Sequence, residues 1–375
     1  MKKSLIALAV VGAFTAQAAM ADVTIYGTAS MSLDSTNNGT TTAGVAGTGA
    51  TKISSNTSKI GFKGTEDLGG GMSAVWQIEQ DVFMDTGANT LATRNTYVGL
   101  TGESMGTVLL GQHDTPYKIA TRGLDLFADT IADNRSIMGQ TGGNGILAPA
   151  VPAVSHDARL GNVLAYISPA MSGVTIAAAY VAAAEGATLS TQTKGSAYSL
   201  AALYGAGPIS ASLAYQVVDG GTAPSSIAAV GVLGTGNKAS AWKLGGGYTM
   251  DAITVNAVYE KTSSSVGGLD VIGQTNYYLG GKFNVSANDA VKLAYAHAGQ
   301  VGSPAIAASG AKQISIGYDH SMSKRTMVYA LYTKLTNDTA AVYGLGGSAS
   351  NTGGVANLGA GASPSAVSLG LKHSF

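Results

Sequence analysis

Segments of about ten residues, in which bulky apolar side chains alternate with small or polar ones, recur along most of this chain. One of them, VTIYGTASMSLD, places Val23, Ile25 and Leu33 on one face and Thr24 and Asp34 on the other. A two-residue period indicates a β-strand with one apolar face. Sixteen segments show it, at roughly 22–34, 57–64, 72–82, 92–101, 105–112, 161–169, 173–182, 196–205, 208–217, 240–250, 252–261, 274–284, 288–299, 311–321, 325–334 and 365–375.

The composition places these strands in a membrane. Charged residues make up only 11% of the chain, whereas soluble domains contain about 25%. No run of 18 apolar residues follows the N-terminal segment, so membrane-spanning helices are not predicted. A closed β-barrel is the other structure that satisfies its backbone in lipid. The polar faces are rich in Ala, Gly, Ser and Thr, which suits the water-filled lumen that about 16 strands enclose. We therefore predict an all-β fold, a 16-stranded antiparallel transmembrane β-barrel.

The connections between the segments alternate in length. Short ones fall at 65–71, 102–104, 170–172, 206–207, 251, 285–287 and 322–324. Long ones fall at 35–56, 83–91, 113–160, 183–195, 218–239, 262–273, 300–310 and 335–364. Outer-membrane barrels have short periplasmic turns and longer extracellular loops, so this alternation supports the same prediction.

The N-terminal segment has the features of a secretory signal peptide. Lys2 and Lys3 precede an apolar run, and the segment closes with Ala19-Met20-Ala21. We expect cleavage after Ala21, so that residues 1–21 are a signal peptide and residues 22–375 form the barrel. The 21 basic and 21 acidic residues leave no strongly basic surface, so nucleic acid is not an expected partner.

The connection at 113–160 is unusually long, and such loops are normally functional. Its acids include Asp114, Asp125 and Asp129, and its stretch from Thr121 to Asn134 reads as a short helix. Apolar residues along it favour a loop that folds into the lumen and narrows the pore. The alternative is a solvated external loop.

Basic residues share the polar face of two predicted strands. Lys59 lies on this face in SKIGFKG, and in TRNTYVGL the pattern puts Arg94 on the face of Thr96 while Tyr97 faces outward. An arginine facing lipid would cost a few kcal/mol, so Arg94 should point into the lumen. Loop acids opposite these bases would set a transverse field and select ions. The alternative is that each is an ordinary solvated charge.

Four separated blocks resemble the general porins of beta-proteobacteria: SKIGFKGTEDLGGGMSAVWQIEQ, TRNTYVGLTGESMGTVLLGQHDTPYK, NVLAYISPAMSGV and the ending LKHSF. The resemblance implies a homotrimer whose third long loop constricts each pore. It implies that Lys59, Arg94 and Arg159 match the basic constriction cluster and that the acids of 114–133 match the loop. It also implies that Phe375 is a signal read by the barrel-assembly machinery. Lys59 and Gln112 stand where the family commonly has arginine, which weakens any inherited anion selectivity.

Other classes of function find little support. GESMG fits the nucleophile pattern G-x-S-x-G, but a strand follows where that motif needs a helix, so Ser104 is not expected to be catalytic. The five histidines show no metal-binding spacing. A substrate-specific channel or a barrel adhesin remains the alternative. We predict a passive, water-filled channel in a Gram-negative outer membrane, in contact with lipid, that passes ions and small hydrophilic solutes, with no cofactor and no enzymatic activity.

Overall fold

A computed structural model describes residues 22–87, 91–141, 154–182, 195–220, 238–266, 269–302, 307–346, 354–355 and 359–375. The predicted signal segment, with Ala21, lies outside these residues.

Nearly all of the regular structure is antiparallel β-strand. The strands are β1 (Asp22–Asn37), β2 (Gly49–Ser55), β3 (Lys59–Gly69), β4 (Met72–Asp81), β5 (Thr96–Gly102), β6 (Gly106–Asp114), β7 (Gln140–Thr141), β8 (Val154–Ser155), β9 (Arg159–Ile167), β10 (Val174–Ala182), β11 (Ser196–Ala206), β12 (Ile209–Asp219), β13 (Lys238–Met250), β14 (Ile253–Val266), β15 (Leu269–Asn284), β16 (Asp289–Ala298), β17 (Ala311–Ser321), β18 (Thr326–Asn337) and β19 (Ser365–Ser374). All except β7 and β8, which pair with each other, belong to one sheet.

This sheet closes on itself because the first and last strands pair. β1 pairs with β19 from Thr28↔Ser374 to Asn37↔Ser365. On its other side β1 pairs with both β3 and β2, which form a single strand interrupted at residues 56–58. Thr57, within this break, has a positive φ of 55°. Counting β2 and β3 as one, the barrel has 16 strands, and the predicted fold class is confirmed.

The two faces of the barrel follow the predicted alternation. On β1 the apolar side chains of Val23, Ile25 and Leu33 are 57%, 60% and 50% exposed, whereas Ser32 and Asp34 are buried. Exposed large apolar side chains recur in this way around the wall. Such an apolar outer band is what a membrane barrel presents to lipid.

Several connections differ from the prediction. The connection expected at 262–273 is mostly strand, because β14 and β15 pair up to Val266↔Leu269, with one register shift between Ser264 and Ser265. Part of 35–56 is likewise the strand β2. Polar residues such as Ser263, Ser264 and Ser265 weaken the apolar alternation there. The strand predicted from that alternation therefore ends before the hydrogen-bonded pairing of β14 with β15 does. The short turn at 103–105, which contains Ser104, joins β5 directly to β6.

The long third connection holds the principal helix of the described residues, α1 (Pro116–Arg122). The helix predicted over 121–134 is wrong, because α1 ends before Gly123 and successive turns follow. Thr115 caps the start, where its side chain accepts a hydrogen bond from the Lys118 backbone N–H, and Pro116 fits the first turn. In the part of the chain that the structure describes, no helix is long and apolar enough to cross a membrane.

The last residue is built into the wall of the barrel. Phe375 exchanges two backbone hydrogen bonds with Gly27 of β1, at 3.0 and 3.1 Å. Its ring lies over Gly27 so closely that a Cβ added there would be 2.5 Å from the ring Cζ atom. Glycine at position 27 therefore makes room for the aromatic ring that covers it.

Candidate functional site

The third connection is attached to the buried face of the barrel wall at its helix. The backbone N–H of Tyr117 donates to Ser199 Oγ on β11, at 2.9 Å. The Tyr117 hydroxyl donates to the Glu260 carboxylate on β14, at 2.7 Å. Tyr117 and Glu260 are fully buried, so helix α1 is fixed to two strands that the fold brings together.

Beyond the helix, the connection follows the wall from strand to strand. Asn256 on β14 donates to the Leu124 carbonyl at 2.8 Å. At Leu126, the backbone N–H donates to the Tyr278 hydroxyl on β15, and the carbonyl accepts from Lys292 Nζ on β16, both at 3.0 Å. Further on, Gln313 of β17 donates to the carbonyl of Ala132 at 3.0 Å. Residues 117–132 thus contact the buried face of the wall from β11 to β17.

Apolar packing accompanies these hydrogen bonds. The buried side chains of Phe127, Ile131 and Ile137 belong to one cluster with wall residues that include Leu331 and Leu335. Burying each such side chain contributes about 1.5–3 kcal/mol. The connection is therefore held by a core of its own.

Two wall glycines leave the space that this packing uses. A Cβ at Gly245 would lie 2.7 Å from Leu124 Cδ1, and one at Gly317 would lie 2.7 Å from Phe127 Cε1. A larger side chain at either position would displace the connection. Part of the high glycine content thus reflects close approach of this segment rather than turns.

The acids of the connection are paired with its own arginines. Arg122 bridges Asp129 at 2.6 Å and Asp133 at 2.7 Å, and Arg135 bridges Asp133 at 2.9 Å. Asp125 accepts hydrogen bonds from the backbone N–H groups of Phe127 and Asn134, both at 3.0 Å.

The pKa values of these acids move in opposite directions. Burial and the Asp133 carboxylate raise the pKa of Asp125 to about 6, although Arg122 opposes the shift. Burial alone would raise the pKa of Asp133, but Arg122 and Arg135 hold it well below its usual range. Most of the negative charge is therefore neutralised within the connection.

A second cluster lies on the wall formed by β1, β3 and β4. Glu79 accepts from Arg94 Nε at 2.6 Å and from the Tyr26 hydroxyl at 2.9 Å, and Lys59 Nζ lies 3.5 Å from it. Arg94 also bonds Asp81, with 2.9 Å between Nη1 and Oδ1. Lys59 and Arg94 thus come together, but each faces a wall acid.

The position of Arg94 corrects the sequence interpretation. Arg94 precedes β5, which begins at Thr96, so it is not within a strand. Val98 and Leu100 are exposed outer-face residues, whereas the Tyr97 hydroxyl donates to Gln77 on the inner face of β4. The predicted outward orientation of Tyr97 is wrong because strand alternation was extended through an irregular segment. Arg94 nevertheless reaches the inner face through Glu79 and Asp81.

Arg159 belongs to a third group near the second cluster. Its Nε atom is 3.1 Å from an Asp114 oxygen and 2.9 Å from Asn95 Oδ1. Lys118 of α1 also contacts Asp114, at 2.8 Å. Asp114 is the last residue of β6, and the pairing of β6 with β9 continues to Asp114↔Arg159. The assignment of Asp114 to the loop is therefore wrong.

The far end of the connection returns to the wall through buried charges. Lys243 of β13 bridges Asp157 at 2.5 Å, and both side chains are almost fully buried. The Gly139 N–H donates to Glu260 at 2.8 Å. Burial lowers the pKa of the adjacent His156 to about 4, so this histidine is neutral at pH 7.

The observed ion pairs agree only in part with the expected transverse field between loop acids and wall bases. Lys59 and Arg94 pair with Glu79 and Asp81 instead of facing the loop acids across a gap. Sequence reasoning did not single out either of these wall acids. The usable signal was their i, i+2 spacing in IEQD, which puts both on one face. Within the described ranges, no group of three potential metal ligands occurs.

Comparison with known proteins identifies the family. A family model described as Gram-negative porin matches residues 7–340. The chain is similar to outer membrane porin protein 32 of Delftia acidovorans, with 32% identity over 100% of both chains. It is also similar to major outer membrane protein P.IB of Neisseria meningitidis serogroup B, with 41% identity over 32% of this chain and 35% of that protein.

Solved structures agree in fold. The anion-selective porin from Comamonas acidovorans is similar with a TM-score of 0.77 and 27% identity, over 95% of this chain and 100% of that one. OmpT of Vibrio cholerae in its trimer form has a TM-score of 0.66 and 14% identity, over 95% and 99% of the chains, and shows the fold alone. The closed 16-stranded barrel and these matches show that the chain belongs to the Gram-negative porin family and is a passive channel of the outer membrane.

Proposed function

We propose that the connection between β6 and β9 folds into the lumen and forms the constriction that sieves ions and small hydrophilic solutes. The observation that carries this proposal is the series of hydrogen bonds from residues 117–132 to the buried faces of β11, β14, β15, β16 and β17. A segment attached there fills one side of the lumen and leaves the passage along the opposite wall. Transport then needs no chemistry, and we infer no catalytic role for the chain.

The charges along the passage favour anions modestly. Arg159 and Lys118 together face a single carboxylate, that of Asp114. Lys63, Lys282 and Lys372 lie on inner-face positions and form none of the ion pairs found among the described residues. An excess of fixed positive charge raises the local anion concentration. The similarity to an anion-selective porin supports the same sign.

Planar-bilayer recording of the purified protein in a KCl gradient tests this function. We expect stepwise conductance increments and a reversal potential whose sign reports chloride preference. A folded barrel that gives no conductance would favour the adhesin alternative, and saturable currents for one solute would favour a substrate-specific channel.

Replacing Arg94 by glutamine should shift ion preference toward cations. The change leaves Glu79 and Asp81 facing only Lys59, so the local charge becomes negative. A unit charge about 7 Å from the ion path contributes about 0.6 kcal/mol in water, with opposite signs for chloride and potassium. Salt at about 0.1 M screens about half of this energy, so the chloride-to-potassium permeability ratio should fall about two- to threefold. Arg325→Gln, in the exposed turn after β17, is the matched control and should leave the ratio unchanged. An unmoved reversal potential for Arg94→Gln would place Arg94 away from the constriction.

Raising the pH through 8 should weaken anion preference. Burial lowers the pKa of Lys118 to about 8, with Arg159 and Arg135 adding to the shift and Asp114 opposing it. Lys118 is therefore charged at pH 6.5 and neutral at pH 9.5. Loss of this charge should lower the chloride-to-potassium ratio about two- to threefold. The Lys118→Met variant should show no such step, and an identical pH dependence in both proteins would assign the titration to another group.

We also propose that the chain assembles as a homotrimer after cleavage behind Ala21, and that Phe375 is read by the barrel-assembly machinery. Deleting Phe375 removes its ring and both hydrogen bonds to Gly27, whereas Phe375→Ala removes only the ring. Both variants should lose most of the heat-modifiable trimer in cells, as seen by electrophoresis. If Phe375→Ala folds normally from denaturant in lipid, its defect in cells is one of recognition. Normal trimers in cells from both variants would contradict this role.

A further inference from the structure

Basic side chains lie on the outer, lipid-facing side of four strands. They are Lys261 on β14, His297 on β16, Lys312 on β17 and Lys334 on β18. The buried neighbours Glu260, Gln313 and Thr333 point to the other face, so strand alternation turns Lys261, Lys312 and Lys334 outward. All three lysines are exposed. These positions lie toward the end of the barrel where β16 leads to β17 and β18 leads to β19 through long connections, which are extracellular in outer-membrane barrels.

These basic residues follow a row of aromatic residues. Lys261 lies two residues beyond Tyr259, whose ring is 5.4 Å from that of Trp242. His297 lies two residues beyond Tyr295, and its ring stacks on Tyr277 with 4.7 Å between centroids.

Strand β18 repeats the arrangement, since Lys334 lies two residues beyond Tyr332. Aromatic rows mark the membrane interface. Outward lysines at this depth cost about 0–1 kcal/mol, against about 2–4 at the bilayer midplane. The ammonium groups therefore lie at the level of the outer-leaflet headgroups.

The strand register brings Lys312 and Lys334 together beside His297. His297 is the direct cross-strand partner of Lys312. Lys334 is the partner of Ile314, so it lies diagonally across from Lys312, at the roughly 7–8 Å typical of such neighbours. In the described part of this outer face the lysines form no ion pair. The carboxylate of Asp338, directly after β18, interacts electrostatically with His297. The patch is therefore cationic and open to a ligand.

The outer face differs at the opposite end of the same strands. There, Asp289 of β16 accepts from the Tyr318 hydroxyl at 2.5 Å and lies 2.8 Å from His320 Nδ1. The cations at this end, Lys324 and Arg325, lie in the turn between β17 and β18. Among the described residues of these strands, outward-facing lysines therefore occur only at the end that carries Lys312 and Lys334.

We propose that Lys312 and Lys334 bind the phosphate group of an anionic lipid in the outer leaflet. Two ammonium groups on adjacent strands can bracket one phosphate, and each basic residue near a membrane surface adds to the attraction. Their aliphatic stems lie along the apolar wall while the charges reach the headgroup. The site faces away from the lumen, so it is independent of the proposed constriction.

Native mass spectrometry of the assembled protein with diphosphoryl lipid A as the probe tests the proposal. The Lys312→Gln/Lys334→Gln variant should bind this lipid about 10- to 30-fold more weakly than the unchanged protein. The matched control is Lys324→Gln/Arg325→Gln, which removes two charges from the turn at the other end of β17 and β18 and should bind normally. Lys312→Arg/Lys334→Arg should also retain binding.

Three results would overturn the proposal. Equal binding of lipid A by the glutamine variant and its control would show that the lysines do not hold the phosphate. Displacement of the lipid by millimolar inorganic phosphate would indicate a free-anion site. Crosslinking of Lys312 to another copy of the chain would place the patch between subunits. If the double variant does not assemble, Lys312→Gln and Lys334→Gln are measured singly, each with an expected loss of about three- to fivefold. Channel conductance should not change in any of these variants.

Discussion

Deletion of residues 120–140 is expected to raise the single-channel conductance on the order of twofold, the largest functional change that the structure predicts. The deleted segment includes Leu124, Leu126, Phe127 and Ala132, which contact the inner faces of β14 to β17. If the proposed constriction is right, their removal replaces packed protein by water on that side of the lumen. The ladder that closes the barrel between β1 and β19 contains none of these residues, so the wall should still form.

Planar-bilayer recording of the deletion variant provides the measurement, together with uptake rates for solutes of increasing size. A control deletion of residues 222–236, which the sequence places in another long connection, should leave the conductance nearly unchanged. If the 120–140 deletion assembles and conducts like the full chain, this segment does not narrow the passage and the proposed constriction is wrong.

Replacing Lys243 by methionine is expected to detach the returning end of the same connection. Lys243 and Asp157 form an ion pair with side-chain exposures of 1% and 5%. Removing one partner of a buried pair typically costs about 3–5 kcal/mol, because the remaining charge is left without compensation. Here the Asp157 carboxylate would remain near Glu260, which already accepts hydrogen bonds from Gly139 and Tyr117. The segment around Gly139 and Asp157 should therefore leave the wall.

Limited proteolysis of the folded protein should report this release as new cleavage between residues 138 and 158, and bilayer recordings should show greater current noise. Lys238→Met is a suitable control, since Lys238 lies on the same strand but is 63% exposed, and its pair with Asp219 should contribute at most about 1 kcal/mol. A second change, Asp157→Asn, should restore protection in the Lys243→Met background. Equal protease resistance of Lys243→Met and Lys238→Met would show that the buried pair does not hold the connection.

The sequence by itself determined the number of strands, the two faces of the wall and the closing pair. These features follow from a two-residue period and from the need to satisfy every backbone hydrogen bond in lipid, and both act locally along each strand. The outward positions of Val23, Ile25 and Leu33 could therefore be read directly from VTIYGTASMSLD. The same reasoning failed in two opposite ways. The apolar alternation was extended over Arg94, which precedes β5, and it ended too early at 262–273, where polar residues continue β14 and β15.

The tertiary structure alone decided which charges meet. Arg94 reaches Glu79 from a segment without strand geometry, and Tyr117 bonds Glu260 across 143 residues of sequence. No local pattern encodes such contacts, because the energy of an ion pair depends on burial and distance rather than on neighbours along the chain. The sequence supplied the acids and bases of the candidate site. The closed barrel and its third connection decided that Lys59 and Arg94 face Glu79 and Asp81, and that Asp129 and Asp133 face Arg122.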